Sequence, residues 1–540
     1  MNYSTNRPSY ARWASEDEIK QSLCKVNFNE TNRQCSGIPL YTGPDEQVYV
    51  DPSDTHTMII GSTGSKKSRN IVMPSLQILA HAGESFIATD PKAELYERSL
   101  NMLRKMGLKP LVINLRDPRR SNCWNPLTIP YRLYRNGERD RSMELVTDLA
   151  NCMVKEDSAN EPYWQNSAAD LLAGMILILF ECAKESEINF KSLLALRIQA
   201  LKINDSSPFI KENFLDCLDR SAFVASLLSG TAEVCDDTRS CIVSHFDQAM
   251  RPFFSQDSLI NMLSVSDFDM SSIGKKKTAV FLIIPDENTL YHRLISVFVK
   301  QCYTELILEA QKQPGKRLPV RVNFMLDEFA SLPPISDFPA MITASRSRNI
   351  RFNLIVQSLH QLRHQYGDNA EIIKGNCENW VFLYSRELQL LEELVRLAGT
   401  KSNEEPLITV PMLQTLDKNK GEALVLHKRL HPFIASLKDI DQYRNVSNNV
   451  KQIPYPVNTV KAENVFDFNK FCKSKSSIYL SLMFSGKTEQ EISMEEEKRF
   501  MSIGDDDAVL EPLFTSVISD DREIEEFAAS AGTSLLIKER

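Results

Sequence analysis

Several things are missing from these 540 residues, and each absence removes a class of function. The 11 cysteines form no C-x-x-C pair, and the 8 histidines do not join them in a cluster, which leaves no zinc site. The scatter reads as reduced thiols of a cytosolic protein rather than a disulfide frame. There is no excess of base: 63 Lys and Arg stand against 71 Asp and Glu, for a net charge of −8. A chain coated for nucleic acid is excluded, so any such contact is local. No long hydrophobic run exists. The longest, Leu171 to Phe180, is broken by Gly174 and followed by Glu181. It falls short of the about 20 residues that span a bilayer and reads as a buried helix. Met1 to Glu18 is polar and lacks the apolar segment of a secretory signal. No internal repeat is found.

What is present is an ordinary globular composition, 42% apolar and 25% charged, long enough for two or three domains. Its centre is Ile59-Ile60-Gly61-Ser62-Thr63-Gly64-Ser65-Lys66-Lys67-Ser68. An apolar strand, a glycine turn, a Lys-Ser pair and a helix follow in the order of a P-loop. In that arrangement backbone N–H groups of the turn converge on phosphate. Gly61 to Ser68 are therefore the expected nucleotide-binding residues. Lys67 adds a point charge, and Ser68 offers its hydroxyl to Mg²⁺. The second glycine of the pattern is replaced by Lys66. A side chain there occupies a position that usually needs positive φ, at about 1–2 kcal/mol. Turnover is the property this replacement puts in question.

Strands alternate with helices over 58–127, return at Thr278 to Ile284, and recur at Val320 to Leu326, Ile350 to Val356, Trp380 to Leu383 and Glu422 to Leu426. That alternation predicts a mostly parallel α/β sheet. Between them, residues 141–269 are helical by pattern and read as an inserted all-α domain. The expected organisation is a polar segment at 1–50, a nucleotide-binding domain from 51–140 and 270–450, and an acidic, partly disordered tail at 456–540. Asn323-Phe324-Met325-Leu326-Asp327-Glu328 is a strand delivering two carboxylates at its C-terminal end, where open parallel sheets hold ligands. Asp327 is expected to hold Mg²⁺, and Glu328 to orient and deprotonate the attacking water. Gln357 ends another strand and is placed to sense the γ-phosphate. Arg346 and Arg348 are candidates to reach a phosphate, DNA, or a neighbouring subunit's nucleotide.

Taken in order, these blocks resemble the TraG-type coupling proteins of conjugation and type IV secretion. The resemblance runs from about Ala11 to Tyr443. It rests on Ala11-Arg12-Trp13-Ala14, the P-loop region, Asp90-Pro91-Lys92-Ala93-Glu94, Asn125-Pro126-Leu127, Tyr163-Trp164, Asp327-Glu328-Phe329-Ala330, Ser345 to Phe352, Gln357-Ser358-Leu359 and Gly375-Asn376-Cys377. It implies a RecA-like P-loop NTPase with an inserted all-α domain, using ATP and Mg²⁺ in a homo-hexamer that drives DNA translocation. The implied partners are DNA, a relaxase–DNA or effector cargo, and secretion-channel proteins. The membrane helices of many members are missing here, as is the usual glycine at Ala93. The expected location is the cytoplasm, or the inner face of the cell membrane through partners. The other reading is a non-hydrolysing scaffold of the same fold.

Overall fold

Ser15 accepts the Glu18 N–H while the Glu18 carboxylate accepts the Ser15 N–H, and this capping box starts helix α1 (Glu16–Ser22). The computed structural model describes residues 10–26, 35–155, 162–200, 222–285, 291–443, 454–458, 464–472 and 474. After α1 the chain forms three short strands, β1 (Cys24–Lys25), β2 (Pro39–Thr42) and β3 (Val48–Val50), paired in the order β1-β3-β2. Strands this short have no readable period, which is why the sequence of this segment shows only its polarity. Cys24 and Cys35 are joined by a disulfide, with Cα atoms 5.4 Å apart. This corrects the expectation of reduced thiols throughout. Cys24 lies in β1 and Cys35 in the loop before β2, and spacing in the sequence carries no signal for such a pair.

The main sheet is built from β4 (Thr57–Gly61), β5 (Ser85–Asp90), β6 (Leu111–Asn114), β7 (Ala279–Ile283), β8 (Val322–Leu326), β9 (Ile350–Val356), β10 (Asn379–Tyr384), β11 (Glu422–His427) and β12 (Phe433–Ser436). Their order is β12-β11-β10-β4-β9-β8-β5-β7-β6. Every pairing from β10 to β6 is parallel, and β11 and β12 add an antiparallel edge. Strands β4, β5, β7, β8 and β9 are buried along their whole length. That is why they read as continuous apolar runs: helices cover both faces of a parallel sheet. Helix α2 (Met73–Ala82) follows the P-loop and α3 (Glu94–Lys105) follows β5.

Between β6 and β7 the chain is helical: α4 (Thr128–Arg135), α5 (Arg139–Val154), α6 (Pro162–Cys182), α7 (Phe190–Ala200), α8 (Ala222–Ala232), α9 (Asp236–Phe254) and α10 (Asp257–Met262). Helix α6 extends upstream of the apolar run and reaches 21 residues. By length and composition it is the one described helix that could cross a membrane, but 72% of its apolar window is buried inside the protein. Its Gly174 lies against α8, where a Cβ would meet Leu228 Cδ2 at 2.6 Å. The helices also share a core with α11 (His292–Lys312). Trp124 meets Phe298 edge-on at 5.1 Å, and Gln301 donates to the Pro126 carbonyl at 2.8 Å. Helix α12 (Phe338–Ser345) leads into β9.

Phe466 and Phe468, inside the stretch expected to be solvated tail, are buried. The Phe466 N–H donates to Ser192 Oγ at 2.9 Å. Residues 475–540 of that expected tail lie outside the described residues.

Candidate nucleotide-binding site

The site sits where five strands end side by side. Strand β4 stops at Gly61, with β10 on one side and β9, β8 and β5 on the other. Gly61 has no room for a side chain, because a Cβ would run into Ser65 Oγ and lie 3.2 Å from Lys67 Cγ. The Ser62 N–H donates to the Tyr384 carbonyl at 2.9 Å, which ties the turn to β10. Gly64 takes φ +80° at the tip, and Lys66 takes φ +65°. Lys66 thus adopts the left-handed conformation that the missing glycine would have adopted. The helix after it opens with a π-turn over Ser68–Val72 before α2 begins, a local widening often found at functional sites.

Lys67 is 8% exposed, and its Nζ donates to the Gly61 carbonyl and, at 3.4 Å, to the Ser62 carbonyl. Burial lowers its pKa, and the carboxylates of Asp327 and Glu328 oppose that shift. The P-loop lysine and the two carboxylates are therefore one electrostatic cluster. Asp327 is 8% exposed, and burial, with Glu328 second, pushes its pKa up to about 6. Its Oδ1 accepts the Glu328 N–H at 3.0 Å, and its carbonyl accepts Thr89 Oγ1 at 2.9 Å. Glu328 turns the chain with φ +55°. Both its carboxylate oxygens accept from Gln357 Nε2, at 2.6 and 2.7 Å, while Gln357 Oε1 accepts Thr63 Oγ1 at 3.1 Å. One hydrogen-bonded path thus runs from the P-loop through β9 to the end of β8.

The structure brings together Gly61, Ser62, Thr63, Gly64, Ser65, Lys66, Lys67, Ser68, Asp327, Glu328 and Gln357. It does not bring Arg346 and Arg348 to them. Both lie in the turn that precedes β9, at the end opposite Gln357. About 20 Å of strand separates them from this chain's own site. Arg346 pairs with Glu378, and Arg348 donates to the Lys316 carbonyl at 3.3 Å.

Among the expected loop residues Thr63 has a particular part, and Asp90 and Arg69 contribute without a role assigned from the sequence. Thr63 is the link from the loop to Gln357. Asp90, at the end of β5, is buried beside Asp327, and burial pushes its pKa up to about 7. Its Oδ2 accepts the Tyr96 N–H at 2.9 Å. Arg69 donates to Asp439 at 2.8 Å and also pairs with Asp441, and the Lys66 cation helps hold the Asp439 pKa down. The Asp-Pro-Lys order after a strand was the available signal for Asp90. Nothing local could indicate Asp439, which is 370 residues from Arg69.

The site fits a nucleotide and Mg²⁺ on the evidence of its own atoms. Gly61 forms a cradle floor that no Cβ can enter, and the buried Ser65 Oγ has no hydrogen-bond partner among the described residues. Comparisons with known proteins agree with this architecture. The structure of the plasmid coupling protein TrwB in complex with ADP and Mg²⁺ superposes with a TM-score of 0.58 at 17% identity, covering 83% of this chain and 96% of that one. Protein VirD4 of Rhizobium rhizogenes is 22% identical over 365 residues, 66% of this chain and 51% of its own. Conjugal transfer protein TraG of Escherichia coli is 24% identical over 387 residues, 66% of this chain and 56% of its own. The chain thus spans about half the length of these relatives. The family model for conjugative DNA transfer by the type IV secretory system matches residues 12–406, and the chain belongs to that family.

Proposed function

We propose that this chain is the nucleotide-driven core of a coupling protein, which hydrolyses ATP to deliver DNA or a protein–DNA cargo to a secretion channel. The observation that carries the reading is the Thr63–Gln357–Glu328 path beside Lys67 and Asp327. It joins a phosphate loop, a sensor and a general base in one constellation.

In this reading the N–H groups of residues 62–68 and the Lys67 ammonium bind the β/γ-phosphates. Ser68 and Asp327 are the residues that would hold Mg²⁺, which supplies charge neutralisation at those phosphates when bound. Glu328 takes the proton of the attacking water. Gln357 orients the Glu328 carboxylate and, being the residue directly after β9, passes the change at the phosphate into that strand. Arg346 and Arg348, at the far end of β9, serve only across a subunit boundary, which is the reason to propose a ring, with a homo-hexamer as its form. The helical block 141–269 reads cargo, whether relaxase–DNA or effector. The chain acts at the inner face of the cell membrane through secretion-channel proteins.

One observation favours the scaffold reading. Lys67 Nζ is already taken by the carbonyls of Gly61 and Ser62, so phosphate must displace it. Measuring ATP turnover by the purified chain, with and without DNA, separates the two. Turnover that is stimulated by DNA and abolished by Glu328→Gln supports the motor. Binding without turnover supports the scaffold.

A further inference from the structure

Phe466 and Phe468 are seated on the helical block by contacts of the kind a bound peptide makes. Residues 464–467 form neither helix nor strand, and burial alternates along them. Val465 and Asp467 are exposed, whereas Phe466 and Phe468 are 3% and 2% exposed. Their rings lie 6.5 Å apart. One short stretch of the helical block grips the backbone. Asn189 Nδ2 donates to the Asn464 carbonyl at 3.0 Å. The Phe466 N–H donates to Ser192 Oγ at 2.9 Å, and the Phe468 N–H donates to Gln199 Oε1 at 2.8 Å.

Two of these gripping side chains are buried and held in place. Asn189 stands just before α7, and its Oδ1 accepts the Ser192 N–H at 3.0 Å. Hydrogen bonds to main-chain atoms give affinity for any sequence, so selectivity falls to the two buried aromatic positions. The segment is also held separately from the chain before it. Residues 454–458 are anchored on the other part of the molecule: the Tyr96 hydroxyl donates to the Pro454 carbonyl at 2.7 Å, and the Asn458 N–H to the Arg119 carbonyl at 2.9 Å. Residues 464–468 can therefore leave α7 without undoing those bonds. Two buried rings and three hydrogen bonds are set against the entropy of ordering the residues that make them. Opposing contributions of similar size make the segment replaceable by another of the same chemistry.

We propose that this surface of α7 is a peptide-binding groove, filled here by the chain's own residues 464–468. Its partner is a linear segment of a cargo protein that carries two aromatic side chains one residue apart. The chain's own segment is then a built-in competitor, which cargo must displace. The groove stands on its own geometry, while its use by cargo rests on reading the helical block as the part that reads cargo.

Fluorescence anisotropy of a labelled peptide with the sequence of residues 464–471 tests this on the full chain. Phe466→Ala combined with Phe468→Ala vacates the groove, and that variant should bind the peptide at least tenfold more tightly than wild type. A peptide with both phenylalanines replaced by alanine should not bind it. Gln199→Ala added to the vacated chain should weaken binding several-fold. Circular dichroism checks that the variants are folded. In wild type, excess labelled peptide should raise hydrogen exchange at the Phe466 and Phe468 amides, a measurement that needs no variant. Equal peptide affinity of the vacated and wild-type chains, or amide exchange unchanged by excess peptide, overturns the groove. A concentration-dependent wild-type oligomer that the vacating substitutions abolish also overturns it, by assigning the segment to exchange between copies. Nucleotide and DNA are absent from every arm, so failure here leaves the reading of the nucleotide site standing, and failure of that reading leaves the groove standing.

Discussion

Lys66 is the residue on which this site turns. A β-carbon in the left-handed region costs about 1–2 kcal/mol, and Lys66 bears that cost at φ +65°. The backbone of the loop therefore keeps the path a glycine would have allowed. The strain is partly offset by attraction to Asp439. Lys66→Gly is expected to stabilise the protein by about 1 kcal/mol in denaturant titrations and to raise ATP turnover several-fold. A less stable variant would mean that the Asp439 interaction outweighs the strain. Glu328 and Asp327 divide their roles by position. Asp327→Ala should lose Mg²⁺-dependent nucleotide binding. Glu328→Gln should bind nucleotide within about threefold of wild type and lose turnover by at least about 100-fold. Hydrolysis by Glu328→Gln at the wild-type rate would remove Glu328 as general base.

At the scale of elements, β9 is the strand that joins the two ends of the sheet. Its C-terminal residue Val356 precedes Gln357 at the nucleotide end. At its other end, the Phe352 N–H donates to His56 Nδ1 at 2.9 Å while His56 Nε2 bonds the Ile342 carbonyl at 2.8 Å. Around that imidazole stand Ser345, Arg346, Arg351 and Asp54. Burial lowers the His56 pKa to about 4, and burial does the same to His427, which is hydrogen-bonded to Asn379 and Ser22. Both rings are neutral in the fold and regain a pKa of about 6.5 on unfolding. The unfolded chain therefore binds more protons as pH falls. Stability is complete above about pH 6.5 and is lost towards pH 4, by up to about 3 kcal/mol for each ring. Calorimetric melts at pH 7.5 and pH 5 should show that loss, and His56→Gln with His427→Gln should flatten it. A wild-type melting temperature independent of pH over that range would contradict this assignment.

At the scale of the whole molecule, the helices between β6 and β7 are tied to the sheet through α11. Lys300 reaches Asp337 at 2.9 Å, Glu144 at 3.3 Å and Asp148 at 3.6 Å. Glu144 and Asp148 lie on α5, whereas Asp337 stands just after the turn that follows the carboxylates of β8. Lys300→Met leaves three acids facing one another. Because Glu144 and Asp337 are more than half exposed, the expected loss is about 1–2 kcal/mol rather than that of a fully buried pair. Chemical denaturation measures it, and a stability equal to wild type would show that solvent already screens the cluster. The position of Arg348 leads to a second expectation at this scale. It cannot reach its own chain's nucleotide, so Arg348→Ala should leave nucleotide affinity within twofold and lower turnover at least tenfold in the assembled protein. Arg346, tied to Glu378, is the less free of the two. Weakened nucleotide binding by an isolated Arg348→Ala subunit would place that arginine at its own site.

The order of local signals in the chain was enough for the fold class, the loop at Gly61 to Ser68 and the paired carboxylates at Asp327 and Glu328. Each is encoded within a few residues: a strand run, a turn, a charge at a strand end. The sequence alone also located the helical stretch between the two groups of strands. Tertiary structure decided what depends on strand order and register. Parallel pairing of β9 with β4 and with β8 set Gln357 between Thr63 and Glu328, and the same pairing left Arg346 and Arg348 at the opposite end of β9. Packing settled that α6, long enough for a bilayer, is buried among helices, and it brought Cys35, in the loop before β2, to Cys24 on β1. Chain spacing holds no record of these pairings, because contacts between residues hundreds of positions apart are specified by the whole core at once.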